Sequence, residues 1–130
     1  MRHWDRYVAA LTALFLAADG VFMLGAPLSW YDAVPGVPVT GPFNPHFVRD
    51  IGAAYLVAGM GIAWFAWRPR QGWPALAAAA AFLTAHAGIH VYDASCGASA
   101  LADVRRDFGG VYLLALIPLL LAIFRKPEAF

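Results

Sequence analysis

His86 and His90 stand one helical turn apart, with Asp93 three residues further on, so on a helix the three side chains make one stripe. Two imidazoles at i and i+4 can face one divalent ion, and a full coordination shell then needs donors from other segments. Asp19 and Asp50 can supply them, which gives a divalent-metal reading with Asp19, Asp50, His86 and His90 as ligands. Mixed nitrogen and oxygen donors suit Zn, Fe, Mn or Cu(II) without ranking them. His46, Arg49, Asp93, Arg106 and Asp107 would surround that centre with hydrogen bonds and ion pairs. Two other readings use the same residues. In one they form a structural network, with Arg49 paired to Asp107, Arg106 paired to Asp50, and the histidines bonded to Asp19 and to backbone. In the other they line a path for a proton or a small molecule. Bis-histidine haem is disfavoured, because His86 and His90 lie on one helix and cannot clamp opposite faces of a ring. The sequence has no glycine-rich phosphate loop, nucleophile elbow or paired CxxC, so no catalytic residue is assigned.

Positioning these residues falls to four long apolar stretches, at about 7–24, 47–67, 73–92 and 108–124. The chain has 130 residues, of which 62% are hydrophobic and 13% charged, more apolar surface than a soluble core of that size can hide. Each stretch is close to the ~20 residues that span ~30 Å of hydrocarbon, and backbone in lipid must bond within its own segment, so each is read as a transmembrane helix. The alternative of a greasy soluble bundle fails on the weak amphipathic period of residues 75–83 and 113–123. The first stretch follows a basic start, but Asp19 interrupts it and no small-residue cleavage site follows, so it is read as a retained helix. Arg2, Arg6, Arg68, Arg70, Arg125 and Lys126 fall on one side, against Arg49, Arg105 and Arg106 on the other. That bias puts both termini in the cytoplasm of a cell with the chain in its inner membrane. The net charge of +1 gives no reason to expect nucleic acid, and the single Cys96 excludes an internal disulfide.

On this topology, Asp19 and His86 come to similar depths in the outer half of the hydrocarbon. An aspartate there costs ~2.5–3.5 kcal/mol on insertion scales, so Asp19 must face a partner or a wet cavity. The first outward connection, residues 26–44, carries Pro27, Pro35, Pro38 and Pro42 among Trp30, Tyr31 and Phe43. It is expected to be extended or turn-rich and to lie across the outer mouth of the bundle. Asn44-Pro45 and Trp73-Pro74 are expected to open the second and third helices, and Pro118 to bend the fourth.

The chain also reads as a repeat. Arg49-Asp50-Ile51-Gly52-Ala53-Ala54-Tyr55-Leu56 matches Arg106-Asp107-Phe108-Gly109-Gly110-Val111-Tyr112-Leu113 at Arg, Asp, Gly, Tyr and Leu. A weaker echo sets Phe15–Asp19 against Phe82–His86. The expected fold is therefore an all-α, up-down bundle forming one domain over residues 1–130. Its two parallel two-helix repeats are about 7–67 and 73–124. Tyr55 and Tyr112, at equivalent places, can bond a ligand, although packing is the commoner role of such a tyrosine.

Four short helices with both ends inside, together with the stretch Arg49–Leu56 at the start of the second, resemble the small DoxX-like bacterial membrane proteins. The resemblance implies links to redox or electron transfer in some members and carries over no functional residue. Three function classes follow: a metal-binding or redox-accessory membrane protein; a small transporter or proton pathway; and a structural subunit of a larger membrane complex. Transport by so small a chain would need a homodimer or larger assembly.

Overall fold

Prolines mark three helix starts, because a residue without an N–H loses nothing where the first helical N–H groups have no partner. The computed structural model describes residues 3–127. Its elements are α1 (His3–Gly25), α2 (Pro27–Ala33), a 3-10 turn (Val37–Val39), α3 (Pro45–Trp67), α4 (Pro69–Cys96), α5 (Ala100–Asp107), a π-helical turn (Phe108–Tyr112) and α6 (Leu113–Phe124). Pro27, Pro45 and Pro69 each open a helix. At α3 the expected cap is present: the Asn44 side chain accepts from the His46 and Phe47 N–H groups at 3.1 and 3.2 Å.

The all-α class holds, with no strand among the described residues. Four runs are long and apolar enough to cross a membrane: His3–Gly25, Pro45–Trp67, Pro69–Cys96 and the continuous Ala100–Phe124. Three boundaries differ from expectation. The third long helix begins at Pro69 rather than Trp73-Pro74, so Pro74 lies inside it, past the first four N–H groups, and forgoes the bond to the Arg70 carbonyl. The fourth begins at Ala100, well before Phe108. Part of the first connection is helical, because Pro27 is the kind of first-position proline that starts α2.

Neighbouring long helices run antiparallel. α1 packs on α3, α3 on α4 and α4 on α6, while a smaller α1–α6 contact closes the ring. Close approach of α1 and α3 depends on missing side chains. A Cβ on Gly20 would come within 2.7 Å of the Gly52 carbonyl oxygen, and one on Gly59 within 3.1 Å of the Ala13 carbonyl oxygen. In lipid such close backbone contact is a main source of helix association.

One end of the bundle carries both chain ends and the α3–α4 turn; the other carries the two longer connections. At the terminal end the Arg125 guanidinium holds the fully buried Asp5 with two bonds, at 2.8 and 3.1 Å. Arg6 donates to the Ala66 and Trp67 carbonyls at 2.7 and 3.0 Å, covering the end of α3, and the Trp73 indole donates to Ala122 O at 2.9 Å. Arg2, one of the six basic residues read as cytoplasmic, lies outside the described residues. Between the ends, Leu16, Ile62, Phe65, Leu76 and Pro118 are fully buried, and on α1 the buried Thr12 hydroxyl donates to Val8 O at 2.9 Å. Leu11, Leu14, Val57, Met60 and Ile123 face outward.

Candidate functional site

The polar residues of the loop-end half form a run of contacts from α3 through α4 to α5. Tyr55 is buried on α3, and its hydroxyl meets His86 Nε2 at 3.0 Å. Phe82, one turn back on α4, stacks on His86 at 6.3 Å and meets the Tyr55 ring edge-on at 6.2 Å, fixing both rings. The His86 and His90 rings lie 4.9 Å apart, as i, i+4 spacing requires. His90 Nδ1 then lies 2.8 Å from Asp107 Oδ2. A carboxylate only accepts, so Nδ1 carries the proton and Nε2 of a neutral His90 is a free base.

Asp107 is saturated with donors. Arg106 Nε reaches its Oδ1 at 2.8 Å and Nη2 its Oδ2 at 3.2 Å, while Nη1 binds Asp103 Oδ1 at 2.6 Å. The first connection sits on this arginine. Gly36 has φ +89°, and a Cβ there would run into the Arg106 guanidinium, so the turn needs glycine for both its backbone and its contact. The same connection reaches inward through Trp30, whose indole N–H donates to Asp19 Oδ1 at 2.8 Å. Asp19 thus has its partner, and it lies within electrostatic reach of the Tyr55 hydroxyl.

Asp107 and Tyr112 share this site because of the π-helical turn. Five residues along an α-helix turn the side chain by ~140°, which is why Asp50, the repeat counterpart of Asp107, lies on the outside while Tyr55 is buried. In a π-turn the i+5 residue comes nearly into line, so the Asp107 side chain and the Tyr112 hydroxyl are both buried. The Tyr112 hydroxyl is buried with no hydrogen-bond partner among the described residues. The two copies of the motif therefore have different geometry despite their shared residues.

The proposed metal ligands do not converge. Among the described residues no group of three His, Cys, Asp or Glu is placed to hold an ion. Asp50 faces outward and pairs with His46 at 3.4 Å, the side chains being 61% and 87% exposed. Asp19 is engaged by Trp30, and each histidine already has a partner. Nor do the arginines pair across the repeat. α3 and α6 lie diagonally in the ring, so Arg106 binds Asp107 and Asp103 of its own helix, and Arg49 reaches Leu24 O at 3.4 Å. Asp93 is exposed and outside the network.

All nine residues lie in the loop-end half, but only His86, His90, Arg106 and Asp107 join the run of contacts, with Asp19 held beside it by Trp30, while Asp50, His46, Arg49 and Asp93 stay on the surface. Sequence spacing found the His86/His90 stripe but missed its two ends, Tyr55 and Asp107, as direct partners. The available signal was that α3, α4 and α5 are consecutive, so their loop-end residues are neighbours. No family model, no curated protein and no solved structure matches this chain.

Proposed function

We propose that this is an integral membrane protein carrying a one-sided proton site, which takes up and releases protons from the loop end for a redox or binding partner. The observation that carries the reading is the run Tyr55–His86–His90–Asp107, whose members can donate or accept protons, set against the fully buried apolar layer of Leu16, Ile62, Leu76 and Pro118. In the first, Tyr55–His86 and His90–Asp107 are hydrogen bonds and the two imidazoles are in ring contact; in the second, the buried Thr12 hydroxyl is tied to the Val8 carbonyl of its own helix. Only 22–33% of each candidate span is buried inside the bundle, so most of its apolar surface needs lipid. The repeat and the DoxX-like resemblance fit a redox-accessory role.

The basic bias supports an orientation with the loop end outside and the termini in the cytoplasm, the chain lying in the inner membrane. Cys96 is exposed at that end. An impermeant maleimide added to intact cells should label it, and labelling only after lysis would reverse the orientation.

Proteoliposomes with an enclosed pH dye separate this function from a transporter. A pH jump on the loop side should give rapid, reversible proton binding, reduced in His86→Ala and His90→Ala, without sustained flux. Sustained flux that depends on His90 would favour the transporter instead.

A further inference from the structure

On the outer face of the bundle, away from the polar site, α1 and α3 enclose an open groove of about 710 Å³. It runs from His3, Arg6 and Trp67 at the terminal end to Ala17, and Ala10 and Ala63 keep it wide. The 14 steps from His3 to Ala17 rise ~20 Å, enough to reach through the ~15 Å hydrocarbon depth of one leaflet with the mouth at the headgroups. Its deep part is apolar, and its mouth is basic and aromatic. Arg6 uses Nε and Nη2 on the end of α3, which leaves Nη1 for an outside acceptor, and Arg68 stacks on Trp67 at 4.7 Å beside the mouth.

We propose that this groove binds an anionic phospholipid of the terminal-side leaflet, one acyl chain lying against Ala10, Ala17 and Ala63 and the phosphate meeting Arg6 and His3. Groove length selects a leaflet-deep chain, and the charge at the mouth selects an anionic over a zwitterionic headgroup. A second copy of the chain would place a helix rather than a phosphate at the mouth and would leave the cations without a counter-charge. The proposal rests on the membrane reading above but is independent of the proton site.

The test is native mass spectrometry of the full-length protein, delipidated in detergent and titrated with phosphatidylglycerol or phosphatidylcholine. The protein should hold a single phosphatidylglycerol about fivefold more tightly than phosphatidylcholine. Ala63→Leu, which fills the groove and keeps every charge, should weaken both lipids. Arg6→Gln should remove the preference between them. Equal affinity for the two lipids, binding indifferent to Ala63→Leu, or a lipid-free dimer would each overturn the proposal. Alkaline extraction of cell membranes separates this failure from failure of the membrane reading. A protein released by alkali was never embedded, whereas one that stays embedded yet shows any of those results refutes the lipid site alone.

Discussion

Tyr55 and Tyr112 hold equivalent places in the repeated motif and meet opposite fates. Tyr55 bonds His86, whereas the Tyr112 hydroxyl is buried without a partner among the described residues. Removing a satisfied hydroxyl loses a hydrogen bond, worth ~0.6 kcal/mol on average in membrane helices. Removing an unsatisfied one relieves a desolvation cost of ~1–3 kcal/mol. Tyr55→Phe should therefore lower stability slightly and Tyr112→Phe should leave it unchanged or raise it, as read by reversible unfolding in detergent. Equal losses would mean that Tyr112 has a partner. At this scale residue type was legible and partnership was not. Asp19 was rightly expected to need a partner, but Trp30 lies in a proline-rich connection whose fold no periodicity reveals. The arginine–carboxylate pairs were assigned across the repeat because like motifs suggest like roles, and the diagonal placement of α3 and α6 prevents it.

For the helices, hydropathy was a reliable guide to the four runs long and apolar enough to cross a membrane. Boundaries were less legible where polar residues continue a helix beyond its apolar stretch, as in Ala100–Asp107, or where backbone geometry departs from the α form, as in Phe108–Tyr112. Nothing in Gly109-Gly110 distinguishes a π-turn from a regular one, yet that turn brings Asp107 and Tyr112 onto one face. The α1–α3 seam depends on glycine for a different reason, close approach. Gly20→Ala and Gly52→Ala should each cost ~1–3 kcal/mol, since a Cβ at either would meet atoms 2.7 Å away. Gly88→Ala, with open space around its site, should be neutral or mildly stabilising. Thermal unfolding in one detergent compares the three, and equal shifts would show that the seam is looser than described.

The bundle is fastened at both ends by polar pairs between helices: Asp5 of α1 to Arg125 beyond α6 at the terminal end, and His90 of α4 to Asp107 of α5 at the loop end. Nothing in the sequence marks the first fastening, since Asp5 and Arg125 lie 120 residues apart and Arg125 reads only as one of the cytoplasmic basic residues. Arg125→Gln deletes the two charged hydrogen bonds that Arg125 makes to the fully buried Asp5, and should destabilise the fold by ~2 kcal/mol while leaving the loop-end site intact. Asp5→Asn with Arg125→Gln should recover part of that loss in a double-mutant cycle, and additive losses would show that the two do not interact. The central claim is that His86 and His90 exchange protons from the loop end only. It is tested most directly by ¹⁵N NMR of histidine-labelled protein inserted in one orientation in vesicles, with the pH changed on one side at a time. The account predicts that neutral His90 carries its proton on Nδ1, and that the signals of both histidines follow the loop-side pH and ignore the terminal side. Signals that follow the terminal side, or a neutral His90 protonated on Nε2, would contradict it.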